Sequence, residues 1–255
     1  MKVSAIPNIL LSVVGLKVIR PGSTQKRLPV EMSEADKSVF RYVRDNRLST
    51  SSDERLFATI MACRYVVEHK IEGDFVECGV WRGGNSILAA GVFKSMTSEK
   101  SAWLFDTFAG MTQPTSFDVN YLGEIADGKY RNTLRDDHSD WCYCPIEEVR
   151  ANFMNAGLLG ERVKFVKGDV AKTLAQTDKL PGSIAVLRLD TDWYESTKAE
   201  LDALYPKLSR GGVLIIDDYG HWGGARKAVD EYFSGVARPF LQYIDHTARI
   251  GVKLD

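Results

Sequence analysis

The sequence has almost no net charge, few cysteines and no apolar run long enough to cross a membrane. Its 33 lysines and arginines nearly balance 34 aspartates and glutamates, so the formal net charge is −1. This balance gives no global electrostatic reason to expect binding to nucleic acid. The length of 255 residues suits one large α/β domain with an appendage, and the 44% hydrophobic content is ordinary for a globular protein.

The four cysteines do not form a zinc-binding pattern. Cys142 and Cys144 form a C-x-C sequence, and the other two, Cys63 and Cys78, stand singly. Because no matching second pair is present, we do not expect structural zinc. Reduced, mostly buried thiols in a cytoplasmic protein are the expectation.

Residues 1–50 are predicted to form an N-terminal helical extension or arm. The apolar stretch at 9–19 is interrupted by polar residues and is too short to span a bilayer, which takes about 20 residues. Lys2 precedes it as in a signal peptide, but an Arg-Pro-Gly sequence follows in place of a small-residue cleavage site. We expect an amphipathic arm that packs on the body, on a partner subunit or over a substrate.

Predicted helices and strands alternate along the rest of the chain. Ser33 is expected to cap the first helix, and Ser51 to form a capping box with Glu54 at the start of the second. Helices are predicted over residues 34–45, 86–94, 145–156, 171–177, 195–205 and 224–233, and the helix that starts at the Ser51 capping box carries an apolar side from Leu56 to Val67. Strands are predicted over residues 75–80, 102–108, 163–166, 184–190, 213–218, 240–244 and 249–254.

This alternation predicts an α/β fold with a mostly parallel sheet. Strand–helix–strand units are right-handed and place their strands parallel in one sheet. The turn before the last strand is too short for a crossover, so that strand must run antiparallel. The sequence therefore predicts a seven-stranded sheet with one antiparallel strand.

Four aspartates stand at the ends of two successive predicted strands. Asp190 and Asp192 follow one apolar run, and Asp217 and Asp218 follow the next. In open α/β sheets, ligands bind at the edge formed by the carboxyl ends of the strands. Carboxylates there would repel one another unless a cation lay between them, and Mg²⁺ prefers oxygen ligands, so we predict a divalent metal at this edge. The alternative interpretation pairs the aspartates with the basic residues Arg188, Lys198, Arg226 and Lys227.

A glycine-containing turn follows the first predicted strand. Its pattern, E-x-G-x-x-x-G from Glu77 to Gly83, lets the backbone turn tightly against a ligand. Trp81 stands where the dinucleotide fingerprint needs glycine, so a pyrophosphate would fit badly and S-adenosylmethionine is favoured. Asp106 ends the second strand, where ribose hydroxyls are held, and Asp169 either binds adenine or caps the next helix. The candidate cofactor-binding residues are Glu77, Gly79, Trp81, Gly83, Ser86, Asp106, Asp169 and Val170.

Three longer motifs occur in order along the chain: VECGVWRGG at residues 76–84, LRLDTDWYEST at 187–197, and DDYGHW at 217–222 followed by GARKAVD at 224–230. With these motifs the sequence resembles the macrocin O-methyltransferase family, whose members use S-adenosylmethionine and Mg²⁺ to methylate sugar hydroxyls on natural products. The resemblance implies the Rossmann-like sheet of class I S-adenosylmethionine-dependent methyltransferases in residues 51–255. It also implies that the metal ligands are Asp190, Asp217 and Asp218, and that the general base is Asp192.

Asp192 and His221 are the candidate general bases. Asp192 lies two residues beyond Asp190, so it can face the acceptor while Asp190 faces the ion, or both can be ligands. His221 is the rival because histidine is the commonest proton acceptor in enzymes. Asp217 and Asp218 can share one ion only if the chain turns after the strand, and the Tyr-Gly pair that follows favours such a turn.

The polar and aromatic insertion at residues 109–145 is predicted to be a lid over the binding edge. Aromatic faces with interspersed polar groups suit a sugar or a polyketide, and the alternative is a packing patch or a subunit contact. The aromatic residues singled out are Phe117, Tyr121, Tyr130, Trp141 and Tyr143.

The expected acceptor is a glycosylated or polyhydroxylated small molecule. A catechol is the alternative acceptor, because its paired oxygens also chelate Mg²⁺. Trp81 disfavours a nicotinamide-dependent oxidoreductase, and the intact aspartates disfavour a non-catalytic binding module. We expect a cytoplasmic homo-oligomer that binds neither nucleic acid nor a membrane.

Overall fold

One mixed sheet organises the computed structural model, which describes residues 28–175 and 180–255. Its strands in these ranges are β1 Asp74–Cys78, β2 Ala102–Asp106, β3 Val163–Lys167, β4 Ile184–Leu189, β5 Leu208–Ile216, β6 Gln242–Tyr243 and β7 Arg249–Val252. Their order across the sheet is β3-β2-β1-β4-β5-β7-β6. β1 to β5 are parallel, and β7 runs antiparallel to both β5 and β6. The prediction of a seven-stranded, mostly parallel sheet with one antiparallel strand is confirmed.

The register of the central strands brings their carboxyl ends to one level. Cys78 of β1 pairs with Leu189 of β4, and Leu189 pairs with Ile216 of β5. All six residues of β4 are buried, as expected for a central parallel strand covered on both faces. The residues that follow these strands therefore leave the sheet side by side, at the edge where ligands bind in α/β proteins.

Helices cover the sheet with their apolar residues turned inward. Leu201 and Val229, from two different helices, belong to the same buried cluster as Leu214 of β5. Helix Glu34–Asp45 packs closely on helix Gly84–Ser95, because a Cβ on Gly91 would lie 3.0 Å from a methyl group of Val39. The helices in the described ranges are Glu34–Asp45, Asp53–Glu68, Gly84–Ser95, Ala126–Thr133, Ile146–Asn155, Val170–Thr173, Tyr194–Leu204 and Gly223–Gly235, with a 3₁₀ turn at Tyr205–Lys207.

The starts of helices Glu34–Asp45 and Asp53–Glu68 show where a local sequence signal is enough to predict the N-cap residue and where it is not. Ser33 caps the first helix as predicted. The predicted cap at Ser51 is wrong, because Ser52 is the N-cap and accepts a hydrogen bond from the amide of Arg55 at 3.2 Å. Ser51 is buried, and its hydroxyl accepts a hydrogen bond from Nη2 of Arg188 at 3.1 Å. Both serines suit a cap by residue type, and the tertiary contact with the arginine decides between them.

Some elements differ in extent from the prediction. The sixth strand spans Gln242–Tyr243 rather than 240–244, and the insertion contains a helix, Ala126–Thr133, that was not predicted. That helix buries one residue and lacks the apolar stripe on which sequence prediction depends. The predicted arm at 9–19 and the end of the predicted helix 171–177 lie outside the described residues. Within the described ranges, no helix is both long and apolar enough to cross a membrane.

The four cysteines are free thiols. Cys63, Cys78 and Cys144 are buried, which agrees with the expectation of mostly buried thiols, and Cys142 is exposed. Buried thiols of this kind pack as small apolar side chains.

Candidate active site

A cavity of about 420 Å³ lies at the carboxyl edge of the sheet. One side is lined by the loops that follow β1, β2 and β3, and the other side by the loops that follow β4 and β5. Residues 48–51 and parts of the insertion complete the wall. Most of the predicted cofactor residues and all the predicted metal residues therefore share one cavity.

Gly79 and Trp81 shape the turn after β1. Gly79 has a φ of +81°, and a Cβ there would lie 1.9 Å from the carbonyl oxygen of Asp190. Only glycine fits this approach, so the turn after β1 lies directly against the loop after β4. Trp81 also has a positive φ, 47°, and it lines the cavity.

Two predicted cofactor residues, Gly83 and Ser86, lie behind the cavity wall rather than in it. A Cβ on Gly83 would lie 3.0 Å from a methyl group of Val149, so this glycine allows close packing of a neighbouring helix. The hydroxyl of Ser86 donates a hydrogen bond to the carboxylate of Glu77. Ser86 thereby supports a residue that does line the cavity.

Asp106 holds the turn after β1 in place. Its Oδ2 accepts hydrogen bonds from the amides of Val80 at 2.7 Å and Trp81 at 3.1 Å, and its Oδ1 accepts one from the amide of Phe108 at 2.7 Å. Burial raises the pKa of this carboxyl. A carboxylate offers about four acceptor sites. The fourth receives a long 3.4 Å contact from the Thr107 hydroxyl, so it can still take a ligand hydroxyl.

Asp169 lines the cavity and also caps the helix that follows β3. Its Oδ1 accepts a hydrogen bond from the amide of Ala171 at 3.1 Å, so the capping interaction predicted as one alternative is present. Val170 lines the same part of the wall. This corner lies at the end of β3, on the same side of the cavity as Asp106.

Three carboxylates converge on the opposite side of the cavity. One oxygen from each of Asp190, Asp192 and Asp218 lies within 4.8 Å of the others, close enough for one ion to bind all three. Burial and neighbouring carboxylates raise the pKa of Asp190 and of Asp218 well above the usual range, and raise the pKa of Asp192 to about 7. Among the described residues, Oδ2 of Asp218 is buried without a hydrogen-bond partner. Such a cluster needs protons or a hard cation between its oxygens.

Asp217 contacts two arginines and is not part of this cluster. Its Oδ1 accepts a hydrogen bond from Nη2 of Arg188 at 2.5 Å, and its Oδ2 pairs with Nη1 of Arg55. The chain leaves β5 at Ile216, and successive side chains of an extended segment point to opposite sides. The structure therefore brings three of the four aspartates together, and Asp217 is not one of them.

A buried arginine links the two sides of the site. Arg188 of β4 has 0% exposure, and its Nε lies 3.1 Å from Glu77 while its Nη2 lies 2.7 Å from Asp190. Burial raises the pKa of Glu77 to about 7, and the charge of Arg188 opposes that rise. A buried charge requires partners of this kind. An arginine inside an apolar strand was the sequence signal for this network, whereas Arg55 lies on a helix and gave none.

His221 lines the cavity near the acidic cluster. Its amide donates a hydrogen bond to the carbonyl oxygen of Asp218 at 3.0 Å, and its ring packs edge-on to Tyr121 with 5.3 Å between centroids. Burial, together with the charge of His246, lowers the pKa of His221, which favours a neutral ring able to accept a proton. Both candidate bases, Asp192 and His221, therefore line the same cavity.

The aromatic residues of the insertion divide between packing and exposure. Trp141 packs against Trp193 and Trp222, with 5.4 and 6.1 Å between ring centroids. Tyr121 remains 60% exposed. The Nζ of Lys129 lies 3.8 Å from the centroid of the Trp141 ring and contributes a cation to the cavity wall that the sequence patterns did not indicate.

Known proteins are similar to this chain over most of its length. The sequence profile of the macrocin-O-methyltransferase family matches residues 43–250. A relative from Streptomyces olivaceus, 8-demethyl-8-(2,3-dimethoxy-alpha-L-rhamnosyl)-tetracenomycin-C 4'-O-methyltransferase, is 38% identical over 185 residues, which are 71% of this chain and 66% of that protein. Demethyldecarbamoylnovobiocin O-methyltransferase from Streptomyces niveus is 40% identical over 170 residues, which are 66% of this chain and 60% of that protein. The matched regions span less than two thirds of these relatives' own lengths.

A solved structure extends the match to three dimensions. The O-methyltransferase NovP is 33% identical, with a TM-score of 0.72 over 82% of this chain and 83% of its own. The sheet is therefore that of class I S-adenosylmethionine-dependent methyltransferases, as predicted. Because the family profile covers the glycine turn, the acidic loops and the strands that bring them together, the chain belongs to the macrocin-O-methyltransferase family.

Proposed function

We propose that the protein transfers the methyl group of S-adenosylmethionine to a hydroxyl group of a sugar on a glycosylated small molecule, with Mg²⁺ bound at the acidic side of the cavity. One observation carries this proposal. The turn after β1, which suits a nucleoside-type donor, and the cluster of Asp190, Asp192 and Asp218 line the same cavity of about 420 Å³. A methyl donor and a metal-bound acceptor would therefore meet in one space.

The acceptor class follows from the named relatives and from the insertion. The Streptomyces olivaceus relative is named for a rhamnosyl tetracenomycin, and the Streptomyces niveus relative for demethyldecarbamoylnovobiocin. In this chain, exposed Tyr121 offers an aromatic face beside His221, on which a sugar ring or an apolar aglycone could stack. These features favour a glycosylated acceptor.

The donor would bind on the side of the cavity nearest β1 to β3. Gly79 allows the backbone to approach the cofactor closely. Asp106 would offer its remaining acceptor site to a ribose hydroxyl, and Asp169 and Val170 line the corner at the end of β3 that we assign to adenine. Glu77 lines the wall beneath the turn, where Ser86 and Arg188 orient its carboxylate.

The acidic side suits Mg²⁺ in the chemistry of its donors. The available ligands are carboxylate oxygens, and one of them, Oδ2 of Asp218, is buried without a partner in the described structure. Asp190 and Asp218 would hold the ion, and Asp217 could join them by exchanging an arginine contact for the ion. When bound, the ion would lower the pKa of an acceptor hydroxyl and fix its orientation.

Asp192 is the proposed general base. In metal-free protein burial raises its pKa to about 7, and the charge of a nearby Mg²⁺ would lower that pKa, so Asp192 would be ionised and able to accept a proton near neutral pH. Asp192 would take the proton of the acceptor hydroxyl as that oxygen attacks the methyl carbon. Bound S-adenosylmethionine would supply the methyl group on a positively charged sulfur, and S-adenosylhomocysteine would leave with the electron pair of the carbon–sulfur bond. The cavity walls would align the two substrates, and such alignment supplies much of the rate gain in two-substrate reactions.

Asp192→Asn tests this assignment because it removes the proton acceptor with little change in size. Turnover should fall by about 100-fold or more, the usual contribution of a general base. Calorimetric affinity for S-adenosylhomocysteine should stay within about twofold, because Asp192 lies on the acceptor side. His221→Asn is the matched control, with an expected loss below about tenfold. A larger loss in His221→Asn would move the base role to His221, and failure of the unmodified protein to bind S-adenosylhomocysteine would contradict the proposed donor.

Other expectations from the sequence stay predictions. They are the division into an extension at 1–50 and a catalytic domain at 51–255, the lid role of the insertion at 109–145, and assembly as a cytoplasmic homo-oligomer. Light scattering coupled to size-exclusion chromatography tests the assembly directly.

A further inference from the structure

Two helices that begin just after the acidic loops lack caps of their own. Helix Tyr194–Leu204 follows the loop after β4, and helix Gly223–Gly235 follows the loop after β5. Their N-cap residues are Trp193 and Trp222, and neither makes a side-chain cap hydrogen bond. The first amides of a helix need acceptors from elsewhere, and the positive end of the helix dipole favours a carboxylate.

Asp118 of the insertion supplies that carboxylate. It is fully buried, with 0% exposure, and its Oδ1 accepts a hydrogen bond from the amide of Tyr194 at 2.8 Å. Its Oδ2 accepts hydrogen bonds from the amide of Thr115 at 2.6 Å and from the Thr115 hydroxyl at 2.9 Å. The same side chain touches the second helix, because a Cβ on Gly224 would lie 1.9 Å from Oδ1 of Asp118. One carboxylate thus lies at the starts of both helices.

Two further hydrogen bonds fasten the insertion to the same loops. Nε1 of Trp193 donates to the carbonyl oxygen of Thr112 at 2.9 Å, and the amide of Gly223 donates to the carbonyl oxygen of Val119 at 2.8 Å. This part of the insertion is therefore part of the framework of the site. Residues 121–125 of the insertion are exposed.

Asp192 needs this support because its backbone is strained. Its φ is 68°, in the left-handed region that glycine adopts freely and that aspartate tolerates better than most residues but at some cost. Such a conformation persists where its surroundings hold it, and Asp118 holds the amide of Tyr194 only two residues further on. We propose that Asp118, which does not line the cavity, is a positioning residue that keeps the general base Asp192 and the metal ligand Asp218 in the arrangement of the acidic cluster where the divalent ion would bind. This inference rests on the proposed function.

Asp118→Asn tests the inference with almost no change in volume. The new NH₂ group must face either the Thr115 donors or the amide of Tyr194, so hydrogen bonds to one of them are lost. With S-adenosylhomocysteine at saturation, calorimetric affinity for Mg²⁺ should fall about tenfold, whereas affinity for S-adenosylhomocysteine should stay within about twofold. Thr115→Ala is the control, because it removes a hydrogen bond to Oδ2 and keeps the contact with Tyr194. Its Mg²⁺ affinity should stay within about threefold of the unmodified protein.

Gly224→Ala perturbs the same contact from the opposite side. The added methyl group would lie 1.9 Å from Oδ1 of Asp118 and 2.9 Å from the amide nitrogen of Tyr194, so it would push apart both partners of their hydrogen bond, although alanine itself favours a helix. Gly235→Ala, at the other end of the same helix, is its control because nothing lies within 4 Å of the added Cβ. In metal-free protein, backbone amides at 190–197 should exchange hydrogen faster in Gly224→Ala and Asp118→Asn than in either control.

The outcomes separate this inference from the proposed function. If the unmodified protein binds Mg²⁺ and both Asp118→Asn and Gly224→Ala bind it equally well, the positioning role is overturned. Equal losses of Mg²⁺ and S-adenosylhomocysteine affinity would also overturn it, because they would indicate general destabilisation. If the unmodified protein binds no Mg²⁺, the proposed metal role fails, and hydrogen exchange at 190–197 alone decides whether Asp118 holds the loop.

Discussion

Gly79→Ala should weaken donor binding strongly while leaving the protein folded, for two reasons: the cost of the backbone conformation and a steric collision. Alanine at a φ of +81° carries a left-handed backbone cost of about 1–2 kcal/mol. The added Cβ would also lie 1.9 Å from the carbonyl oxygen of Asp190, whereas ordinary contacts begin at 3.4 Å. The turn must therefore move by about 1.5 Å relative to the loop after β4, and a misplacement of about 1 Å can cost 100-fold. We expect affinity for S-adenosylhomocysteine to fall by about 100-fold or more.

Gly157→Ala isolates the backbone cost from the collision. Gly157 also has a positive φ, +66°, but nothing lies within 4 Å of a Cβ built there. Thermal and urea unfolding should show a loss of about 1–2 kcal/mol in this variant, with donor affinity unchanged in calorimetry. If Gly79→Ala binds S-adenosylhomocysteine within about threefold of the unmodified protein, the turn does not hold the donor and the reasoning is refuted.

Asp106→Ala removes the acceptor of the turn amides and the site left for a ribose hydroxyl, so calorimetric affinity for S-adenosylhomocysteine should fall more than about tenfold, or about 1.4 kcal/mol. Unchanged affinity would show that the ribose assignment is wrong. Arg188→Met leaves a set of buried carboxylates without their counter-charge, and urea denaturation should show a loss of about 3–5 kcal/mol in the free energy of unfolding. A loss below about 1 kcal/mol would contradict the buried network. In metal-free protein, burial raises the pKa values of Glu77 and Asp192 to about 7 in the folded state, from the ordinary values of 4.5 and 3.8 that apply in the unfolded chain. The folded state therefore binds more protons between pH about 4 and about 7, and stability should fall as pH rises through that window. Mg²⁺ should accordingly raise the thermal midpoint more at pH about 8 than at about 5, and an equal rise at both would count against the cluster as its site.

The sheet and the edge where its loops meet could be predicted because their signals are local. The runs that became β4 and β5 are short, apolar and followed by polar residues, and their parallel pairing follows from the helix between them. Asp190 and Asp217 therefore had to follow neighbouring strands at one level of the sheet, as the register shows. The same argument placed Gly79 and Asp106 at that edge.

The contacts within the site could not be predicted, because they join residues that are far apart in the sequence. Arg55 pairs with Asp217 across 162 positions, and no local pattern predicts which of four aspartates an arginine will choose. Side-chain direction at the end of β5 depends on where the strand stops, which sequence patterns place only to within a few residues. Asp118 looked like one more polar residue of a loop, and its role depends on a helix that begins 76 positions later.

Methyl transfer with and without a chelator tests the central claim most directly. The purified full chain would be incubated with S-adenosylmethionine carrying a labelled methyl group and a panel of glycosides with free sugar hydroxyls, and labelled products would be identified by mass spectrometry. The account predicts transfer to a sugar oxygen that stops in excess chelator and returns when Mg²⁺ is added. Transfer that continues undiminished in excess chelator would contradict the role assigned to the cluster of Asp190, Asp192 and Asp218.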